Sequence, residues 1–440
     1  MNNSKKLELA RWVVAEAKKV GADDVAVDVY NSRDIEISCR EAKLENLQES
    51  TQSALDLSIY ADQRYTNHST NDLRRETLSR FIAEAVAMTR YLSQDEYRAL
   101  PDPKLYEGRK DIDLGLADPE YDSVTSDQRV KIAMQLEEAA RSHSDKIISC
   151  TSGFADSYSE SVKVHSNGFE GTRHVTSYAC GVEVTVDDGQ GGRPEDWDWR
   201  TVRFSRDIPQ PDVLARSAVN RTLAKIGQEQ LPSGVYDMIV ENRSGGRLLG
   251  ALQAPMRASA LQQKSSFLDG KLGEQIASDK LTWIDDPFIK SGMGSRLYDG
   301  EGIATRRRVI VDKGVFKQFY IDNYYGRKLD MQPNSGATTN IVFELGERSL
   351  DEMVAGMERG ILIRTFIGGN NNSTTGDFSY GVMGHYVEKG KLIRPISEMN
   401  ISGNSLELWK RLVEMGNDPY TYSAWQTPSM YFQDVEFSGA

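Results

Sequence analysis

Glycines interrupt an alternating apolar pattern near the C-terminus, in the stretch 376–404, which reads GDFSYGVMGHYVEKGKLIRPISEMNISGN. The alternation around His385 predicts a strand, and 388–391 has the composition of a tight turn before the pattern resumes, so the stretch predicts a hairpin. Glycine inside a strand permits close backbone approach or forms a bulge. Gly381 and Gly384, with the adjacent His385, are therefore candidates for a peptide or partner contact. A purely local role for the glycines in bulges fits the same pattern.

Short alternating runs separated by turn signals make up much of the chain. Near the N-terminus, the alternation of valines with polar residues predicts a strand over 24–30. A turn at Asn31-Ser32-Arg33 and further short strands would continue it as an antiparallel meander. Helical spacing or capping residues predict helices from Asn3 or Ser4 to about Gly21, from Asn71 or Asp72, after Thr125, and over 212–226, 350–359 and 405–415.

These elements predict an α+β fold of antiparallel sheets with flanking helices. The 440 residues are enough for several cores. Breaks at 100–103, which reads LPDP, and at 231–234, which reads LPSG, lead us to expect domains at 1–110, 111–231 and 232–440. The first two would be N-terminal α/β units, and the last would be β-rich.

A polar, glycine-rich segment at 187–199 predicts a long loop. It lacks the glycine spacing of a phosphate-binding loop, and its aspartates would repel phosphate. Trp197 and Trp199 stand among these acids as candidates for a contact surface, because exposed aromatic residues are enriched at interfaces. Capping of the preceding hairpin is the alternative role.

Charge and cysteine content exclude several classes of protein. Lys and Arg number 53 against 65 Asp and Glu, a formal net charge of −12, so we expect no nucleic-acid partner. Cys39, Cys150 and Cys180 have the spacing of neither a disulfide framework nor a zinc knuckle. The sequence shows no signal-peptide character and no apolar run that could cross a bilayer. We therefore expect a cytoplasmic protein without a membrane partner.

The glycine-rich stretch 376–404, followed by Met415-Gly416-Asn417-Asp418, resembles the C-terminal signature of the TldD/PmbA family, the so-called modulators of DNA gyrase. The resemblance runs from Gly21 to the C-terminus and includes GADDVAVDVY at 21–30 and NHSTNDL at 67–73. The family contains a zinc peptidase chain, TldD, and a partner chain, TldE or PmbA. The resemblance thus implies one of two roles.

The residues that zinc catalysis requires are missing from the sequence. No two of the five histidines are three to five residues apart, and none has a glutamate beside it, although a helical zinc site presents two ligands on one face. By the resemblance, the HExxxH element of TldD chains would fall near 248–253, which reads LLGALQ. A C-terminal cysteine ligand would fall near 422–427, which reads YSAWQT. We expect no catalytic residue, no metal ligand and no cofactor in this chain, with zinc in the TldD-type partner.

The resemblance therefore implies a TldE/PmbA-like subunit of a TldD/TldE-type metallopeptidase complex. It would pair with a TldD-type zinc peptidase chain and help to form the chamber that binds unfolded peptide for proteolysis. Two alternatives stay open: a homodimeric binding or regulatory protein, including a modulator of DNA gyrase, and a metal-independent hydrolase. The second would use His385 with a loop serine brought near it by the fold.

Overall fold

Four helices and a six-stranded antiparallel sheet form the first half of the chain. The computed structural model describes residues 1–439 and orders this sheet β3-β2-β1-β4-β5-β6. Its elements are α1 (Asn3–Lys19), β1 (Asp24–Arg40), β2 (Lys43–Ala61), β3 (Arg64–Thr70), α2 (Arg75–Thr89), α3 (Ser126–Ser142), β4 (Ile147–His165), β5 (Glu170–Val186), β6 (Glu195–Val202) and α4 (Pro211–Leu223).

The long strand β1 explains why all four helices lie on one face of the sheet. Side chains alternate between the two faces of a strand, so residues an even number apart share a face. Val25, Val27 and Val29 pack in the core formed with α1 and α2. Ile35 and Ile37 of the same strand pack in the core formed with α3 and α4. One helix pair therefore covers each end of the sheet.

The predicted turn at Asn31-Ser32-Arg33 is wrong. These residues continue β1 and pair with 51–53 of β2 and 158–160 of β4. They lie between the stretches of β1 that the two helix pairs cover, so polar side chains are tolerated, and Arg33 forms an ion pair with Glu49 across the strands. A break in the apolar pattern here marks a gap between two cores rather than a turn.

Ten strands and five short helices make up most of the second half as far as residue 439. In chain order the elements are β7 (Gly234–Val240), α5 (Gly246–Gln253), α6 (Ala258–Gln262), β8 (Trp283–Asp286), β9 (Arg308–Asp312), β10 (Val315–Phe316), α7 (Asn323–Leu329), β11 (Asn340–Phe343), α8 (Leu350–Ala355), β12 (Arg359–Asn371), β13 (Asp377–Glu388), β14 (Lys391–Asn404), α9 (Ser405–Lys410), β15 (Leu412–Met415) and β16 (Met430–Ser438).

The main C-terminal sheet curls into a barrel-like form. Its order is β14-β13-β12-β7-β16-β15, and an additional pairing of β14 with β16 joins the ends of a five-stranded ring. Only the β7–β12 pair within it is parallel. A smaller sheet, β10-β9-β8-β11, shares the same core through residues such as Trp283 and Ile310. The α+β class, with antiparallel sheets and a β-rich C-terminal region, is confirmed.

The predicted C-terminal hairpin is confirmed as β13 and β14. Its two turn residues, Lys389 and Gly390, have φ of 49° and 73°, which suits the tight hairpin turns that match strand twist. Gly384 pairs with Ile363 of β12, and a Cβ there would overlap the Leu362 carbonyl oxygen. The close backbone approach expected of Gly384 thus occurs within the sheet.

Helix starts follow the sequence pattern closely, but two helices end earlier than predicted: α8 ends at Ala355, short of the predicted 359. The Thr125 cap of α3 and the capping box of Ser349 and Glu352 at α8 are present. The helix predicted over 405–415 ends at Lys410, because Leu412–Met415 pairs with β16 instead. Sheet pairing overrides a helical apolar spacing there.

Two further predictions bear on the organisation of the chain. The three-domain division stays a prediction; β1 and β4, from its first and second units, are neighbours in one sheet. Within residues 1–439, no helix is both long and apolar enough to cross a membrane.

We predict that Gly384→Ala lowers the free energy of unfolding by about 2 kcal/mol, because the added Cβ must push β13 away from β12. Urea unfolding followed by circular dichroism measures the change. Gly246→Ala is the matched control, since a Cβ there meets no atom within 4 Å, and it should shift stability by about 0.5 kcal/mol or less. Wild-type stability in Gly384→Ala would contradict this strand contact.

Candidate functional site

A charged seam joins the first half of the chain to the C-terminal barrel. We use this name for the contact of β6 and α4 with residues 241–243, Arg364 and 419–422. A cavity of about 410 Å³ lies in the seam. Its walls are formed by Asp198, Arg200, Ser217, Asn220, Arg221, Glu241, Asn242, Arg243, Arg364 and 419–422.

The predicted loop at 187–199 is wrong in its second part, which forms β6. Strand β6 pairs with β5 and alternates in burial, with Asp196 and Asp198 only 6% and 2% exposed. They lie opposite Val184 and Val182 and so share the helix-covered face of the sheet. The period-two alternation of acids and tryptophans was the signal that predicts a strand here.

Glu241 forms the central ion pairs of the seam. Arg221 of α4 donates through Nη1 to both carboxylate oxygens, at 2.7 and 2.8 Å. Arg364 of β12 donates to Oε1 at 3.2 Å. Although burial opposes the charge, the carboxylates of Glu241 and Asp196 raise the pKa of Arg221. One carboxylate therefore ties together α4, the end of β7 and β12.

The two buried aspartates of β6 are also paired. Asp196 lies 3.1 Å from Lys225 Nζ and 3.5 Å from Arg221 Nε. Burial alone would raise the pKa of Asp196, but Arg221 and Lys225 lower it. Asp198 lies 3.2 Å from Arg200 Nη2. These contacts give both aspartates the cationic partners that buried carboxylates need.

The structure brings the candidate tryptophans to this seam. Trp197 is 46% exposed, and Arg243 stacks on its ring at 4.7 Å while donating to its carbonyl oxygen. Trp199 lies across Gly153 and Gly181 of the neighbouring strands. The Tyr420 hydroxyl donates to the Trp199 carbonyl oxygen. Both tryptophans thus take part in contacts within the chain, and a contact with another molecule stays a prediction.

His385 lies beneath the same seam. It is 7% exposed, and its Nε2 is 3.0 Å from the Ala224 carbonyl oxygen at the end of α4. Burial, reinforced by Arg364, lowers the pKa of His385 to about 4. Among residues 1–439, Nδ1 has no hydrogen-bond partner, so no serine hydroxyl is positioned for activation by this ring. Gly381 and Gly384 lie in β13, which is paired on both sides.

The segments that would hold zinc by family resemblance are adjacent in the fold. Leu248, Leu249 and Leu252 of α5 are buried in the C-terminal core. The Trp425 ring lies 3.8 Å from where a Cβ on Gly250 would stand. Leucine and tryptophan side chains offer no zinc donor. Within residues 1–439, no three His, Cys, Asp or Glu side chains are grouped to hold a metal ion.

Sequence reasoning missed most of the charged seam. Arg221, Glu241 and Arg364 are separated by long stretches of chain and form no motif. The contact between these three side chains becomes visible in the folded structure and not in the sequence. The alternation at 195–202 could have revealed the strand that brings the two aspartates to them.

Comparison with known proteins agrees with this fold. Residues 119–226 match the PmbA/TldA metallopeptidase central domain, and residues 233–439 match the PmbA/TldA metallopeptidase C-terminal domain. The protein named Metalloprotease PmbA from Escherichia coli O157:H7 is 28% identical over 441 residues, covering 98% of this chain and 96% of its own length.

Two solved structures cover nearly the whole chain. A Bacteroides thetaiotaomicron protein named as a modulator of DNA gyrase is 39% identical with a TM-score of 0.96, and the match covers 100% of both chains. TldE from Thermococcus kodakarensis is 21% identical with a TM-score of 0.88, covering 98% of this chain and 100% of its own. The similarity to TldE is a similarity of fold.

We predict that Glu241→Gln lowers the free energy of unfolding by about 3 kcal/mol, because it leaves Arg221 and Arg364 without a central carboxylate. Urea unfolding gives the value. The control is Glu407→Gln, which removes a solvent-exposed ion pair with Lys410 and should change stability by about 1 kcal/mol or less. Equal effects of the two changes would contradict the central role of Glu241.

A pH dependence follows from the low pKa of His385. Unfolded His titrates near 6.5, so between pH 6.5 and about 4 the unfolded state binds more protons than the folded state. The stability contributed by neutral His385 is therefore lost as pH falls through this window. His385→Gln should remove about 2 kcal/mol of the loss at pH 5. Urea unfolding at pH 7.5 and pH 5 tests this, and an NMR titration of the ring near pH 6.5 would contradict it.

Proposed function

This chain belongs to the PmbA/TldD metallopeptidase family, and we propose that within the family it is the TldE/PmbA-type subunit of a two-chain peptidase. The partner would be a TldD-type chain that carries the zinc site. This chain would complete the chamber around unfolded peptide and bind the peptide without cleaving it. We place the assembly in the cytoplasm, in keeping with three buried cysteines that form no disulfide.

One observation carries the proposal. Helix α5 and the segment 422–427 lie side by side, as a zinc site built from both would require, yet they contribute Leu248, Leu249, Leu252 and Trp425. These side chains pack the core instead of offering nitrogen, oxygen or sulfur ligands. A scaffold that keeps the geometry and lacks the donors suits a supporting subunit.

An unpaired strand edge supports a protein or peptide partner. Strand β3 pairs with β2 only over Leu55–Ala61, and in residues 1–439 no other strand covers that side of 43–53. These residues are exposed. An uncovered edge presents backbone donors and acceptors to an added strand. We propose this edge as a contact for the partner chain or an extended peptide.

Metal analysis and peptide cleavage test the proposal. The chain alone, a TldD-type chain alone and their mixture are compared for bound zinc, for complex formation by size exclusion and for cleavage of an unstructured peptide. We expect this chain alone to hold far less than one zinc per chain and to cleave nothing. We expect the mixture to form a complex whose cleavage stops when EDTA removes the zinc.

Other outcomes would identify the alternatives. Cleavage by the chain alone that survives EDTA would establish a metal-independent hydrolase and overturn the proposal. A homodimer that binds no TldD-type chain would favour a regulatory protein. A stoichiometric zinc in the isolated chain would show that it has its own metal site.

A further inference from the structure

The cavity in the charged seam has an excess of positive charge, in a protein whose overall charge is −12. Four guanidinium groups line it, those of Arg200, Arg221, Arg243 and Arg364. Its walls contain only two carboxylates, those of Asp198 and Glu241, so guanidinium groups exceed carboxylates by two in the lining. Like charges brought together in a partly buried cavity are costly unless an anion balances them.

Several of these guanidinium groups have unused hydrogen-bonding capacity. The Arg221 side chain is 9% exposed, and its Nε lacks a hydrogen-bond partner within residues 1–439. The same holds for Nη1 of Arg243 and Nε of Arg364. Arg243 Nη1 lies 3.8 Å from Asp198, beyond hydrogen-bonding distance. Burial and the nearby Arg221 also lower the pKa of Arg243, so a bound anion would stabilise its charge.

The cavity suits a planar anion with a single charge better than a doubly charged anion. Arginine guanidinium groups bind carboxylates side-on with paired hydrogen bonds. Asp198 and Glu241 lie in the same walls and would repel a doubly charged group more strongly than a singly charged one. Asn220 and Tyr422 add neutral polar groups around the cavity.

We propose that the seam cavity binds a carboxylate group of an unfolded peptide, with Arg243 and Arg364 as its principal donors. The identification of the ligand as a peptide rests on the proposed function. The carboxylate is the C-terminus of the peptide, and an acidic side chain is the alternative source of the same chemistry. Arg221 and Glu241 hold the cavity in shape.

Fluorescence anisotropy of labelled peptides tests the inference on the full chain without its partner. One unstructured peptide without acidic residues is used as the free acid and as the C-terminal amide, and a third peptide is an amide with one internal Glu. We expect the free acid to bind about tenfold more tightly than the amide at low salt, with the difference shrinking as salt is added. Equal binding of acid and amide, with no gain from the internal Glu, would overturn the inference.

Substitution at Arg243 locates the effect. Arg243→Gln should weaken binding of the free acid about tenfold and leave the amide unchanged, whereas Arg243→Lys should keep part of the preference. Arg247→Gln is the matched control, because Arg247 lies on the same segment, contacts the carbonyls of Gly368 and Gly369, and does not line the cavity. An unchanged preference in Arg243→Gln would overturn the assignment. The acid–amide comparison on the wild-type chain stands even if the variant is unstable.

The remaining outcomes separate the sources of the anion and the two proposals. Tight binding of the internal-Glu amide would support the carboxylate pocket and assign it to side chains. Displacement of the free acid by equimolar inorganic phosphate would show an unselective anion site and overturn the carboxylate assignment. Acid-selective binding without cleavage by the TldD-type mixture would support the pocket and count against the proposed function. Cleavage by the mixture without acid-selective binding would support the proposed function and overturn the carboxylate pocket.

Discussion

The carboxylate of Glu241 links the two halves of the chain through buried ion pairs. It accepts hydrogen bonds from Arg221 of the first half and from Arg364 of the barrel. A buried charge is tolerated only with partners in good geometry, so these three side chains restrict how α4, β7 and β12 can be placed. The acidic strand β6 adds Asp196 and Asp198 to the same group of arginines. Guanidinium groups outnumber carboxylates in the walls of the cavity at this contact.

The backbone of the barrel places the rest of the site. Gly384 lets β13 approach β12 closely, and His385 then projects toward the end of α4. The same barrel supports α5, whose leucines pack in its core, and Trp425, which lies beside Gly250 of that helix.

Much of the fold could be predicted from local sequence. The caps of α3 and α8 and the Lys389-Gly390 turn were predictable because each depends on interactions within a few residues. The errors in the predicted elements lie where residues distant in sequence determine the structure. Polar residues at 31–33 stay in a strand because β2 and β4 pair on both sides, and 412–415 is a strand because β16 lies beside it.

The sequence by itself determined the α+β class, the family resemblance and the lack of a helical zinc motif, because each depends on residue order or on spacing along the chain. Only the tertiary structure decided that Arg221, Glu241, Arg243 and Arg364 line one cavity and that Trp197 and Trp199 lie beside it. Electrostatic interactions between residues far apart in sequence depend on distance and burial, and the folded chain alone sets both.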